Sequence, residues 1–248
     1  MNENVESRSE QERVEQAIEM FERQDFSTVG VWRRLRFGLG LTFWVLGIKV
    51  RQSAKRLLDL ALGSAALILA SPIMSLTALA VKLDSPGPVF FSQTRVGKWG
   101  QPFTCYKFRS MYIDAEERKK ELMAQNEADG PVFKMKRDPR ITRVGRVIRK
   151  LSIDELPQLF NVLRGDMSLV GPRPPVPSEV EQYTFDQHRR LDAVPGITGL
   201  QQIMGRSDLD FERWVAFDVE YIEKQSFWYD VKILLKTIPA VILGKGAY

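Results

Sequence analysis

The spacing of apolar and polar positions divides the chain into stretches of different character. Residues 1–30 are polar and largely acidic, with no apolar core of the kind a cleaved signal peptide carries, and they read as a disordered arm. The next stretch, "VWRRLRFGLGLTFWVLGIKVRQSAKR", mixes basic residues with Phe, Trp and Leu, and its apolar run is too short to cross a bilayer, which predicts an interfacial segment. From residue 57 to 81 the chain is almost uninterruptedly apolar, close to the roughly 20 residues that a membrane helix requires. After the break "DSPGP", "VFFSQTRVG" and "PFTCYKFRSMY" are short β-branched and aromatic runs joined by a glycine-containing turn, the pattern of a β-hairpin. Residues 114–128 predict a charged helix, and in "DPRITRVGRVIRKL" Val144, Val147, Ile148 and Leu151 recur at helical spacing. The closing stretch from Phe211 to Gly244 has aliphatic and aromatic residues at helical spacing. Within it, "FWYDVKILLK" has the mixture of a helix lying on lipid headgroups.

The apolar stretch has Ser71-Pro72 at its middle and basic residues at both ends, Lys55 and Arg56 before it and Lys82 after it. Proline removes a backbone donor and kinks a helix. Basic flanks on both sides suit two ends on the same face of the membrane. Two readings stay open on the residues alone, a proline-kinked span, which is preferred, and a helix that enters, turns and returns, with the serine hydroxyl helping to satisfy the freed backbone. Asp59, three residues after Arg56, is expected to pair with it on the helix.

Charge and composition narrow the chemistry. A net charge of +5 and a pI near 9.3 indicate an anionic partner. One cysteine, Cys105, excludes an internal disulfide framework, and with one histidine, His188, a zinc cluster or a His-paired nucleophile is difficult to build. The working groups are therefore carboxylates, arginines and lysines. Arg140, Arg143, Arg146 and Arg149, followed by Lys150, form a cationic strip that ends beside "LSIDELPQL".

In that segment Ser152-x-x-Glu155 matches a capping box, and Pro157 fits the first turn of a helix, so the helix is expected to start between Ser152 and Asp154. Both carboxylates would then stand at a helix N-terminus, where Asp154 stays ionised and a phosphate can bind alongside. An ionised aspartate can serve as a nucleophile, although an Asp-Glu pair alone is usually surface charge. The surroundings strengthen the functional reading. Arg173 is held between prolines, and Arg206 follows a glycine-bearing loop, "VPGITGLQQIMGR", suited to backbone approach to a ligand. Lys107 and Arg109, two apart on the predicted hairpin, share one face. No Walker A or dinucleotide glycine fingerprint is present.

Taken in order, "KRLLDL", "ASP", "GPVFFSQTRVG", "YKFRSM", "LSIDELPQLFNVLRGDMSLVGPRP", "PGITGLQQIMGR" and "DVKILLKTI" resemble the bacterial sugar transferases, the monotopic phosphoglycosyl transferases, over residues 53–248. The resemblance implies a mainly α protein with a small β-hairpin (α+β), monotopic, with a re-entrant membrane helix broken at Ser71 and Pro72, and it reverses the preference for a span. It divides the chain into an N-terminal extension (1–52), a re-entrant helix (53–84) and a cytoplasmic catalytic domain with interfacial helices (85–248). It implies transfer of a sugar 1-phosphate from a UDP-sugar to polyprenyl (undecaprenyl) phosphate at the cytoplasmic face of the bacterial inner membrane, the first membrane step of exopolysaccharide or glycoconjugate synthesis. Asp154 would be the nucleophile, giving an aspartyl phosphosugar and releasing UMP, and would also be a ligand of the cofactor Mg²⁺. Glu155 would assist it, while Lys107, Arg109, Arg149, Arg173 and Arg206 would hold phosphates. Larger members carry several membrane helices and a further domain ahead of this unit, and the first 52 residues are too short for those, so the chain resembles the small form with an N-terminal extension.

Two other readings compete. A non-enzymatic membrane-associated adaptor would use the basic surface alone and tolerate loss of Asp154; a nucleic-acid partner, which would bring steep salt dependence, is not expected. A hydrolase passing through the same aspartyl phosphate would replace the lipid acceptor by water. Sugar identity is marked by no spacing.

Overall fold

A computed structural model of the chain describes residues 28–127, 130–133, 135, 137–205 and 209–243. The chain divides into two compact units, Met1–Gln52 and Ser53–Tyr248. In the first, the described residues are helical and display Phe37, Leu39, Phe43, Leu46 and Val50 on the surface. The polar arm before them lies outside the described residues.

Helix α1 (Thr28–Asp84) runs through Ser71 and Pro72, so the break expected there is not seen, and the stretch Lys49–Asp84 is long and apolar enough to cross a membrane. Proline at 72 takes away the donor that Ile68 O would receive in a regular helix. Ser71 Oγ donates to that same carbonyl at 2.8 Å, so the serine beside the proline repairs the bond the proline breaks. In the second unit the helix leans on the rest of the protein through Gly63, which faces Val162 and Leu163, and through Met74 and Val81, which pack on Phe108 and Ile148. Leu57, Ile68, Leu69, Leu76, Leu79 and Leu83 stay exposed.

Strands β1 (Phe90–Val96) and β2 (Pro102–Phe108) form the expected antiparallel hairpin, with Phe90 opposite Phe108 and Val96 opposite Pro102. Its turn places Trp99 at φ +56°, an uncommon backbone for a non-glycine residue, with Gly100 following at +78°. Charged helix α2 (Ala115–Leu122) is shorter than the pattern predicted, continuing as a 3₁₀ turn to Gln125. Helix α3 (Arg143–Lys150) is capped by Thr142, whose side chain accepts from Gly145 N, and Asp84 accepts from Val144 N at 3.0 Å. Arg140 is thus not part of the cationic strip. It precedes the helix, buried in a forked pair with Asp138 that satisfies both charges locally.

Beyond α4 (Gln158–Arg164), two three-residue strands, β3 (Ser168–Val170) and β4 (Gly196–Thr198), pair in parallel. Short helices α5 (Pro177–Val180) and α6 (Phe185–His188) fill the connection between them. Helices α7 (Leu200–Met204), α8 (Phe211–Lys224) and α9 (Phe227–Leu243) complete the fold. The main core gathers Val162 of α4, Met167 just before β3, Val170 of β3, Tyr221 of α8 and Ile233 of α9, with Cys105 of the hairpin.

Asp59 and Arg56 do not pair with each other. Asp59 is buried and accepts from Ser168 Oγ and Leu169 N, both at 3.0 Å, while Arg56 donates to the carbonyls of Val162 and Leu163 at the end of α4. Packing of α1 on α4 and β3 offers each charge fixed partners that a free helix lacks, and a cation at a helix C-terminus completes the open carbonyls. Lys55 likewise reaches Asp230 at 2.6 Å and Val170 O at 3.1 Å.

Candidate active site

Leu151 closes α3, and Ser152 follows in the left-handed conformation (φ +56°), its N–H returning to Arg149 O at 3.0 Å. Ser152 therefore ends the arginine helix instead of beginning the next one, and the expected capping box does not form. A single 3₁₀ turn, Ile153–Glu155, comes next, and α4 begins only at Gln158 with Pro157 as its N-cap. The two carboxylates stand on this turn between two helices. The turn directs them differently: Asp154 is 6% exposed, while Glu155 is partly open and bonded to Lys107 Nζ at 2.7 Å.

Both face a cleft of about 880 Å³ whose wall includes Lys107, Arg149 and Arg173. Burial raises the pKa of Asp154 above the ordinary carboxylate range, Glu155 adds to the rise, and Lys107 and Arg149 oppose it. Burial acts on Glu155 in the same direction, but there Lys107 and Arg173 prevail and hold it well below that range. One carboxylate is thus firmly anionic and paired with a cation. The other is a less stabilised anion, and so the more basic, in the same cleft.

Arg173 is held by its neighbours' carbonyls. Gly196 N donates to Pro172 O at 2.8 Å, Val96 N to Pro175 O at 2.9 Å, and Arg95 Nη1 to Pro174 O at 2.9 Å. The guanidinium lies 5.7 Å from the Trp214 ring centroid, within cation–π range. Sequence reasoning missed Arg95, which lines the cleft, braces this loop from β1 and bonds Gln93 at 2.8 Å. Its burial and the nearness of Arg173 lower its pKa. The signal was available, since Arg95 and Lys107 belong to facing strands of the predicted hairpin.

The glycines of the second loop serve the protein's own backbone. A side chain at Gly196 would strike Gly171, one at Gly171 would strike Val194 O, and one at Gly199 would strike Gly171 O. They let two loops touch, with Gly171 N donating to Thr198 O at 2.9 Å. Arg206 lies outside the described residues. Arg109 borders the cleft, but its guanidinium turns away from Lys107, donating to Ser85 O at 2.8 Å and to Pro86 O. Being past the end of β2, it does not follow the strand alternation that would have set it beside Lys107.

Ala66, Leu69 and Ala70 of α1 also wall this cleft. A buried carboxylate of raised pKa, several fixed cations and a partly exposed apolar wall thus share one cavity, an arrangement suited to anionic ligands with an apolar part.

Residues 50–244 match the family model of the bacterial sugar transferases, and the chain belongs to that family. It is 49% identical over 201 residues to an undecaprenyl-phosphate galactose phosphotransferase of Salmonella typhimurium, covering 78% of this chain and 41% of that one. It is 44% identical over 209 residues to an undecaprenyl-phosphate glucose phosphotransferase of Komagataeibacter xylinus, covering 78% and 37%. With the exopolysaccharide production protein ExoY of Rhizobium meliloti it shares 45% identity over 199 residues, covering 79% and 88%. The chain therefore spans about two fifths of the length of the two phosphotransferases and most of ExoY.

Proposed function

We propose that this protein transfers a sugar 1-phosphate from a UDP-sugar to undecaprenyl phosphate, releasing UMP, in exopolysaccharide or glycoconjugate synthesis. The observation that carries the reading is the shared wall of the Asp154 cleft, cationic through Lys107, Arg149 and Arg173 and apolar through Ala66, Leu69 and Ala70. A water-soluble diphosphate and a lipid phosphate can meet there at one carboxylate.

In the first step a carboxylate oxygen of Asp154 attacks the sugar-bearing phosphorus, the P–O bond to the nucleotide breaks, and UMP leaves with the electron pair. In the second, a phosphate oxygen of undecaprenyl phosphate attacks the aspartyl phosphosugar, and breaking its P–O(Asp) bond restores the carboxylate. Neither step requires a proton to be removed from the attacking atom, which suits a site without histidine. Arg149 and Arg173 bind the phosphates and stabilise the charge that spreads over them in transfer. Lys107 supports that charge while fixing Glu155.

Among the described residues no group of three carboxylate, histidine or cysteine side chains is placed to hold a metal. The carboxylates of Asp154 and Glu155 in the cleft wall match the one or two protein ligands that Mg²⁺ commonly takes, the rest of its shell being water and substrate phosphates. Asp154 would hold it, with Glu155 nearby, and it would supply screening of the donor diphosphate.

We further infer a re-entrant membrane helix with the catalytic domain on the cytoplasmic face of the inner membrane. One globular domain grips both ends of the apolar stretch, through Lys55, Arg56 and Asp59 at its start and Asp84 and Ser85 at its end. A full crossing would put those ends on opposite sides. Exposed Trp228, Leu235 and Ile238 on α9 suit contact with the same leaflet.

The test is UMP release from a panel of UDP-sugars by nanodisc-held protein with Mg²⁺ and undecaprenyl phosphate. Release from at least one donor, abolished in Asp154→Asn, is expected. Acceptor-dependent release that survives in Asp154→Asn would overturn the assigned nucleophile, and no release from any donor would overturn the transferase reading.

A further inference from the structure

We infer that Gln201 is a specificity-determining residue that reads a pair of hydroxyls on the transferred sugar; the inference rests on the transferase reading above. Gln201 is 1% exposed and lines the Asp154 cleft, yet neither its amide nitrogen nor its amide oxygen has a hydrogen-bond partner. The neighbouring hydroxyls do not supply one, because Thr198 and Thr237 bond to each other at 2.8 Å and Thr237 also reaches Ile233 O at 2.8 Å. Beside it, Gln202 leaves its own buried amide oxygen unpaired, its nitrogen reaching Ile197 O at 3.4 Å. Buried polar atoms are ordinarily satisfied, so unpaired ones in the wall of a substrate cleft point to a ligand that completes them.

The position of Gln201 selects the part of the ligand. It is the second residue of α7, and the residue before that helix, Gly199, is pressed against Gly171, two residues before Arg173. The contact is fixed by hydrogen bonds from Gly171 N to Thr198 O and from Gly196 N to Pro172 O. A smaller recess is shared by Gln202, Lys107, Glu155 and Arg173. Helix α7 is therefore locked to the loop that presents the phosphate-binding arginine. The sugar is the group covalently joined to the phosphate that Asp154 attacks, so it is the part of the donor that must lie next to that phosphate. A primary amide offers one donor and one acceptor side by side, complementary to neighbouring ring hydroxyls, and a site built on such bonds rejects an epimer that leaves them unmade.

The experiment measures kcat/KM for UMP release from UDP-galactose, UDP-glucose and their N-acetylated counterparts by wild type and Gln201→Leu, with Gln201→Met as a second variant of similar volume. Thermal unfolding and the same sugars on CDP complete the set. The expected result is a loss of about tenfold or more in kcat/KM for the preferred donor with compression of the preference between epimers, while the unfolding temperature is unchanged or raised because the removed amide had no protein partner. Unchanged sugar ratios in an active variant overturn the inference and leave the transferase intact. A change confined to the uracil-against-cytosine preference also overturns it, by assigning Gln201 to the base. A fall in unfolding temperature with unchanged ratios shows a purely structural role. Absence of UMP release by wild type from every donor defeats the underlying reading instead.

Discussion

Lys107 Nζ lies 2.7 Å from Glu155 Oε1, and the same ammonium opposes the rise that burial gives the pKa of the neighbouring Asp154. One cation therefore acts on two adjacent carboxylates, pairing directly with one and keeping the other available as an anion at neutral pH. The two carboxylates have different environments, and the geometry that separates them is a 3₁₀ turn and not the helix N-terminus expected from the sequence.

This arrangement predicts an acid limb in the pH–rate profile. In the proposed mechanism Asp154 attacks as the carboxylate, so the rate should fall as pH drops through a pKa that lies above the ordinary carboxylate range. Lys107→Met removes an influence that lowers that pKa, so the limb should move to higher pH, with kcat reduced roughly 10- to 100-fold near neutrality. A profile measured in single turnover checks this. A limb that stays in place would show that Lys107 does not govern Asp154.

Arg109 separates structure from chemistry. Its guanidinium holds Ser85 O and Pro86 O where the chain leaves α1, and it is 5% exposed. Arg109→Met should lower stability by roughly 2–4 kcal/mol, since buried carbonyls lose a charged donor, while the folded fraction keeps activity within about twofold. Thermal unfolding and active-site titration read the two effects separately. Normal stability with lost donor affinity would instead return Arg109 to the phosphate site.

Topology is open to a labelling test. Arg51→Cys and Lys98→Cys introduce thiols on either side of the apolar stretch, and the native Cys105 is buried and should contribute little background. A re-entrant helix predicts that an impermeant maleimide leaves both sites unmodified in intact cells and modifies both in inverted vesicles. Modification of one site only in intact cells would establish a crossing.

The legible parts of the sequence were those with local causes. The β-branched and aromatic runs "VFFSQTRVG" and "PFTCYKFRSMY", joined by a glycine-containing turn, marked the hairpin, because neighbouring strands joined by a tight turn have little choice of partner. Clustering of like charge near one aspartate indicated the cationic cleft. Distant partners were not legible. Asp59 meets Ser168 and Leu169 more than a hundred residues away, and Arg109 ends on carbonyls of the loop after α1, more than twenty residues back. Ser152 matched a capping box by spacing, but the preceding helix needed a left-handed residue to stop, and that requirement prevailed. The β3–β4 pair escaped because three residues are too few to show a period. Gln201 escaped because an amide is unremarkable in sequence and becomes notable only when both of its polar atoms are buried without partners.

The most direct test of the central claim is to incubate the protein with its UDP-sugar donor in the absence of undecaprenyl phosphate and to analyse it by rapid-quench kinetics and peptide mass spectrometry. The account predicts a burst of UMP approaching one equivalent per active site. It also predicts a mass increase of one sugar phosphate on the peptide containing Asp154, lost on addition of undecaprenyl phosphate and absent from Asp154→Asn. UMP formation that strictly requires the acceptor, with no adduct on Asp154, would contradict it and indicate direct transfer between the two substrates.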